Sequence, residues 1–554
     1  MQNRDIANAF KLTASLMELH GENAFRIRSY RNAYNALRKF EVPLDEMGES
    51  EIVAIQGIGK SSAEKIDQLI NTGRMDRLEH YREKTPQGIQ DLLSIRGLGP
   101  GKVRTIWRDL GIESPGELLY ACNENRLIEA HGFGMKTQSD VKQKIEYFLE
   151  SRGKWLYARI EPVVLELITK LESVDAQIRV EAVGEIARRC PIVNEVVLIG
   201  KGISAEEVAR AEGVVVKESG LPGTGTFKES GPLSGIFNAS TPFILHCCGE
   251  QEYETRRFEL TGTPDFLNAV GITANAASDE EIFATAGLPY VIPEMRESAD
   301  VFERVAGRDD YIQVEDLKGI VHNHSTYSDG LNTLREMSEY VRDSGYGYFG
   351  ISDHSKTAVY ANGLPVDRVM QQWDEIDALN LELAPFRIFK GIESDILSDG
   401  RLDYEDEILS QFDFVVASVH SGLKMDEKKA TSRILKAIEN PYTDMLGHLT
   451  GRLLLSRKGY PLDHMQIIDA CAEYGVAIEL NANPLRLDMD YEWIPYATEK
   501  GVLISINPDA HSREGIHNVR FGVLAARKGG LLTSQCLNAL PAEKFAQWLS
   551  SRRR

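Results

Sequence analysis

The chain has 554 residues, 42% of them hydrophobic and 26% charged, and carries a formal net charge of −20. That length suggests three to five domains, and the balance excludes wholesale disorder, a collagen-like chain and a disulfide mini-scaffold. No stretch approaches the ~18 consecutive apolar residues of a membrane-spanning helix; Asp5, Glu18 and Glu22 interrupt the N-terminus where a signal peptide needs an apolar core; and six cysteines without a C-x-x-C spacing fit a reducing cytoplasm.

The charge is uneven. Residues 1–150 hold 21 Lys+Arg against 22 Asp+Glu, a net of −1, so −19 falls on the remainder. An acidic whole argues against a simple electrostatic DNA binder, and the near-neutral first part is the expected place of contact with nucleic acid.

In chain order, residues 1–150 show apolar positions at helical spacing, as in IANAFKLTASLMELHG, YRNAYNALRKF and KSSAEKIDQLINTG. From about 160, VVLIG (196–200), GVVV (213–216) and PFILHCC (242–248) read as strands beside a helical LELITKLE. A charged connector lies near 300–318. Seven apolar runs then alternate with amphipathic stretches: GIVHNHS, YFGISDHS, RIFKGIES, FDFVVASVHS, DMLGHLTG, VAIELNA and VLISINPDAHS. This order predicts a parallel α/β barrel. The glycine-rich Gly220–Gly225 segment reads as a turn.

Two families of motif carry chemistry. An apolar-x-Gly-apolar-Gly pattern occurs three times, around Gly57 and Gly59, Gly97 and Gly99, and Gly132 and Gly134, with Lys60, Lys102 and Lys136 following. Such glycines allow a tight turn that brings backbone N–H groups to a phosphate at a helix N-terminus. One copy is an ordinary turn between helices; three copies resemble the helix-hairpin-helix motif, which grips phosphates without reading sequence. The second family lies at the predicted strand ends: His322, His324 and Asp329; Asp353 and His354; Glu393; His420; His448; Asp509 and His511. The active site of a parallel barrel is built at this end of its strands. His-x-His and Asp-x-His place both side chains on one side, because side chains alternate along a strand. Asp353 aside, six histidines and three carboxylates at six strand ends predict a metal site.

Residues 317–554 resemble the PHP (polymerase and histidinol phosphatase) family, a distorted (β/α)7 barrel. The resemblance implies three divalent ions: one held by His322, His324, Glu393 and Asp509, a second by Glu393, His420 and His448, and a third by Asp329, His354 and His511. The mixed ligand set suits Mn, Zn or Fe, with manganese favoured for activity. Glu393, Asp509, His324, Asp353 and Arg486 are the expected catalytic groups. Within that set, Asp353, like Asp395, is expected to orient histidines, and Arg486, like Arg452, to bind a substrate phosphate.

FRIRSYRNAYNAL (25–37) and GIGKSSAEKIDQLINTG (57–73) resemble the lyase domain of family X DNA polymerases. The resemblance implies a Schiff-base lysine at Lys65, with Ser61 where a second basic residue is often found, and a nucleotide-phosphate loop at Gly184–Arg189 with Arg188 and Arg189. Two-metal nucleotidyl transfer needs two carboxylates two apart on one strand and a third beside them. The expected strand, Cys190–Leu198, holds only Glu195, and Pro242–Cys248 holds none.

The whole resembles a bacterial family X DNA polymerase with a C-terminal PHP domain and a degenerate palm. The expected fold is multidomain α/β: a lyase-like helix-hairpin-helix domain (1–85), fingers-like helix-hairpin-helix repeats (86–154), a degenerate α+β nucleotidyltransferase palm (155–235), a thumb (236–300), a linker (301–317) and the barrel (318–554). The expected function is metal-dependent 3′–5′ exonuclease action in DNA repair, extending to abasic-site or 3′-end processing. The expected partner is gapped, nicked or 3′-ended DNA, with no membrane and a monomer favoured. Alternative readings are a polymerase with relocated carboxylates such as Glu185 with Glu195, a phosphate monoesterase, and a non-enzymatic scaffold on gapped DNA.

Overall fold

A computed structural model of the chain describes residues 3–552 apart from 39, 41, 96, 129, 131, 151–152, 218–231, 239, 273 and 306. The glycine-rich segment 220–225 lies outside the described residues. The chain divides into two compact units, Met1–Leu149 and Glu150–Arg554.

The first unit is helical, as its periodicity predicts. Helices Asn3–Leu19 and Ala24–Leu37 pack face to face, with the Phe10 and Tyr30 rings 5.5 Å apart. In the three glycine loops the first glycine adopts φ of +97° (Gly57), +94° (Gly97) and +86° (Gly132), a region that side chains with a Cβ disfavour. The apolar residue between each pair of glycines, Ile58, Leu98 or Phe133, is buried and pins the turn. Helices Lys60–Thr72, Pro100–Arg108 and Met135–Glu150 start directly after the second glycines.

The second unit opens with a five-stranded sheet of β1 (Arg179–Val183), β2 (Val197–Lys201), β3 (Val214–Lys217), β4 (Leu233–Phe237) and β5 (Thr241–Cys248), in the order β1-β2-β5-β4-β3. Only β2 and β5 run parallel, with Val197 opposite Ile244 and Ile199 opposite His246. The sheet runs across the expected domain boundary at 235: β4 spans it and β5 lies beyond, and both pair into this sheet. The sequence reading missed β4, a short half-buried strand containing Gly235. Glu195 is corrected. It is exposed in the turn before β2, where the backbone N–H groups of Asn194 and Glu195 donate to Glu185 at 2.5 and 3.4 Å. A cluster of Phe258, Phe266 and Phe283 follows, with the buried Arg296 guanidinium 4.5 Å from the Phe258 ring centroid and paired with Asp279 at 2.5 Å.

The seven predicted barrel strands are all present: β6 (Gly319–Ile320), β7 (Tyr348–Ile351), β8 (Arg387–Asp395), β9 (Phe414–Ser418), β10 (Met445–Leu446), β11 (Ala477–Asn481) and β12 (Ile504–Asn507). All neighbours are parallel and follow chain order. A parallel bridge between Asn323 and Ala510 brings the two edges together, so the barrel is nearly closed. Strands buried on both faces read as continuous apolar runs, which is why the sequence located them.

Gly391 sits in β8 where a Cβ would lie 2.2 Å from Phe414 Cζ and 2.4 Å from the Ile351 carbonyl. The Gly391→Ala variant is expected to lose about 1–3 kcal/mol through overpacking, read as a lower thermal midpoint by tryptophan fluorescence. An unchanged midpoint would mean that the Phe414 ring swings aside without cost.

Candidate metal centre

Each barrel strand except β11 ends in an expected ligand, and the structure brings all nine together. His322, His324 and Asp509 form one group, His322, Glu393 and His448 a second, His354, Glu393 and His420 a third, and His324, Asp329, His354 and His511 a fourth, each with ligating atoms within 4.8 Å of one another. His322, His324, His354 and Glu393 each belong to two neighbouring groups. Glu393 is the hub: its carboxylate lies 2.9 Å from His448 Nε2, 3.1 Å from His420 Nε2, 3.3 Å from His322 Nε2 and 2.9 Å from His354 Nδ1. Asp509 lies 3.0 Å from His324 Nε2, and Asp329 is 3.4 Å from His511 Nε2 and 3.7 Å from His354 Nε2.

The electrostatics follow from burial and crowding. Burial alone would raise the Glu393 and Asp509 carboxyls, but the imidazoles around them hold both well below the usual carboxylate range. Burial opposes the charged form of His420, yet Glu393 and Asp395 outweigh it and push the ring up to about 10. His324, buried and facing His511 and His354, falls to about 3. Among the described residues, His322 Nε2, His324 Nδ1, Asp329 Oδ2 and Glu393 Oε2 are buried without a hydrogen-bond partner. Buried polar atoms normally find partners, and lone pairs of imidazole and carboxylate converging in this way fit divalent cations.

Backbone strain accompanies the cluster. His322, His448 and Asp509 have φ of +60°, +22° and +52°. The left-handed region costs about 1–2 kcal/mol for a residue with a side chain, and here it turns ligands inward just past the strand ends.

The sequence reading missed Glu479, on the one strand that supplies no ligand. Fully buried on β11, it accepts from His322 Nδ1 at 2.5 Å, from the His448 backbone N–H at 3.0 Å, and from the Asn481 and Asn507 amides at 2.9 and 2.8 Å. The available signal was an acidic residue at mid-strand in the apolar run VAIELNA. Asp395 accepts from His420 Nδ1 at 2.5 Å, as expected of an orienting carboxylate.

The other expected catalytic groups sit differently. Asp353 is turned to the 325–328 loop, accepting from Ser325 N and Oγ, Ser328 N and Oγ, and Gln372 Nε2 at 2.5–3.1 Å. It braces the loop that carries Asp329 and contacts no ligating atom within those bonds. Arg486 is buried, and its charge helps to lower the His448 pKa after burial itself. Arg452 pairs with Asp490, and its Nε donates to the Arg486 carbonyl at 3.0 Å.

Arg188 donates to Glu297 at 3.0 Å and to the Thr261 carbonyl at 2.6 Å. Arg189 donates to the Tyr157 hydroxyl and lies 3.5 Å from Glu161. In the first unit, Gly57, Gly59, Gly97, Gly99, Gly132, Gly134, Lys60 and Lys136 are exposed and Lys102 is half-buried. Lys65 donates to the Ser61 carbonyl and hydroxyl at 2.6 and 2.7 Å and lies 5.8 Å from the Tyr30 ring centroid; burial lowers its pKa.

Residues 321–483 match the PHP domain, residues 1–75 a helix-hairpin-helix domain, and residues 89–145 a SAM-like helix-hairpin-helix tandem. Helix-hairpin-helix repeats ahead of a PHP barrel define the class. Over 560 residues the chain is 33% identical to the DNA polymerase/3′-5′ exonuclease PolX of Bacillus subtilis (strain 168), covering 97% of this chain and 98% of that protein. The chain belongs to the bacterial PolX family. The barrel region is also similar to a probable phosphatase of Thermoanaerobacter sp. (strain X514), 26% identical over 38% of this chain and 92% of that protein. A probable phosphatase of Vibrio atlanticus (strain LGP32) is 29% identical over 35% of this chain and 79% of that protein. Among the described residues, no helix is long and apolar enough to cross a membrane.

Partners that orient metal-binding histidines typically contribute 10–100-fold to metal affinity. Glu479→Gln is therefore expected to weaken Mn²⁺ binding by about tenfold or more, measured by metal titration of the full chain. An unchanged affinity would remove Glu479 from the site.

Proposed function

We propose that the protein is a divalent-metal-dependent 3′–5′ exonuclease acting on DNA in repair, and that its palm does not extend primers. The observation that carries the nuclease reading is the convergence of nine imidazole and carboxylate ligands in one barrel mouth. It is joined by helix-hairpin-helix repeats and by similarity along nearly the whole chain to a relative named for both polymerase and 3′-5′ exonuclease activity. The domain sequence of lyase-like, fingers-like, palm, thumb and barrel regions is part of this reading, with the palm running on to Cys248.

The chain's own residues prepare the site. Glu479 and Asp395 accept from the Nδ1 atoms of His322 and His420, which orients each ring with Nε2 facing the Glu393 carboxylate. Asp353 holds the loop bearing Asp329 in place. Three ions are the proposed complement, grouped around Asp509, around Glu393 and around Asp329. Bound there, divalent ions supply Lewis acidity towards a phosphodiester and lower the pKa of the attacking water.

Two observations support an inactive palm. Neither β2 nor β5 carries a carboxylate, and Val197 faces Ile244 where the paired strands meet. Arg188 and Arg189, the expected phosphate ligands, are engaged by Glu297 and Glu161. The phosphatase relatives favour a second reading of the same cleft, hydrolysis of a phosphate monoester, which would not need residues 1–150.

With Mn²⁺, a 5′-labelled gapped primer–template is expected to shorten into a ladder with or without nucleotides. The H322A/H324A double variant should leave the primer intact yet bind the DNA with unchanged affinity. Primers lengthened only with nucleotides would restore the palm to activity, and equal cleavage by the double variant would remove the barrel from the chemistry. The partly desolvated Lys65 supports a further role as an abasic-site lyase, since desolvation favours the nucleophilic neutral amine. Borohydride should then trap the wild-type chain on abasic DNA and fail with Lys65→Ala; equal trapping would assign the adduct to another amine.

A further inference from the structure

Beside the ligand cluster, the short turn Val359–Ala361 presents two apolar side chains to water: Val359 is 82% exposed and Tyr360 43%. The flanking Ala358 and Ala361 are buried and anchor the turn. The Tyr360 ring centroid lies 6.2 Å from that of His354 and 6.4 Å from that of His420, at the mouth between the ends of β7 and β9.

The segment bearing this ring is fixed on both sides. Thr357 donates its N–H to Asp403 at 2.7 Å and its hydroxyl to Asp395 at 2.8 Å, the same carboxylate that orients His420. The Leu364 N–H donates to the His354 carbonyl at 2.8 Å and the Gly363 N–H to the Ala358 carbonyl at 3.0 Å. A Cβ at Gly363 would lie 1.9 Å from the Ser355 carbonyl oxygen, so the close return of the chain requires glycine there. Asn362, at φ +54°, accepts from Arg368 at 3.1 Å. The ring is thus held in register with two of the metal-binding histidines before any substrate arrives.

We infer that Tyr360 is a stacking platform for the 3′-terminal nucleobase of the strand being cut, with Val359 as its outer edge. The inference rests on the exonuclease reading above and names how that site selects an end. A phosphodiester drawn to the cluster carries its base one sugar away, and the ring stands beside the cluster at 6.2 and 6.4 Å from the two histidine rings, centroid to centroid. Every base has a π-face, so such a platform holds any terminal nucleotide without reading its identity. It also favours an unpaired end, because a base stacked on Tyr360 has left its duplex neighbour.

The test pairs two variants with two single-stranded substrates, one ending in an ordinary nucleotide and one in a tetrahydrofuran nucleotide that lacks a base. Tyr360→Ala should raise KM about tenfold on the ordinary end, Tyr360→Phe should restore it, and the difference should shrink to within about twofold on the base-free end. An equal loss on both substrates would overturn the platform. A second readout needs no cleavage. In the H322A/H324A background, a 3′-terminal 2-aminopurine should be quenched on binding, and adding Tyr360→Ala should abolish the quenching; quenching that persists would overturn the proposal. Tyr360-dependent quenching without cleavage by the wild-type chain would leave the platform standing while the exonuclease reading failed.

Discussion

The Glu393 carboxylate, almost wholly withdrawn from solvent, is met by nitrogens from four histidines at 2.9–3.3 Å. An isolated charge in that position would be prohibitively unfavourable, so the strands around β8 must each deliver a compensating group at the same height. Much of the barrel's detail follows. The strands alternate so that Glu393 and Asp395 share a face, as do Glu479 and Asn481. The chain accepts left-handed backbone at His322, His448 and Asp509, and the carboxylates of Glu479 and Asp395 hold the imidazoles from behind. Packing sets where the strands run, but the density of like and unlike charges sets which way their ends turn.

The five-stranded sheet illustrates the converse. Its parallel pair, β2 and β5, meets through Val197 and Ile244, and the arginines of the adjoining loop are satisfied internally by Glu297 and Glu161. Where the barrel crowds imidazoles and carboxylates into its mouth, the arginines beside this sheet are already paired with carboxylates.

Much of this was legible in the sequence. The seven barrel strands announced themselves as apolar runs because both faces are buried, and the nine candidate ligands because every run but VAIELNA ends in a histidine or carboxylate. The three glycine loops were visible because left-handed turns recruit glycine. What was hidden depends on geometry across the sheet. Glu479 lies inside a strand rather than at its end, and only folding shows that it backs His322. Asp353 is adjacent to a ligand in sequence, yet faces the 325–328 loop. β4 was missed because a half-buried strand interrupted by glycine has no strong periodicity. Tyr360 has no sequence signal at all, since an exposed aromatic in a turn gains meaning only from the histidines beside it.

The helix Val519–Lys528 belongs to the barrel by chain position, yet Arg520 pairs with Glu161, Arg527 with Glu294 and the buried Lys528 with Glu297. Phe521 and Leu524 of the same helix pack against the core of the five-stranded sheet. The seam between the two folds therefore lies within a shared interior, not in the connector before residue 318. Excising the barrel there would leave three cations without their carboxylates, one of them in a buried position, and removing one partner of a buried pair costs about 3–5 kcal/mol. The barrel and the five-stranded sheet thus share one set of ion pairs and one packed seam, which ties the retention of either to the stability of the other.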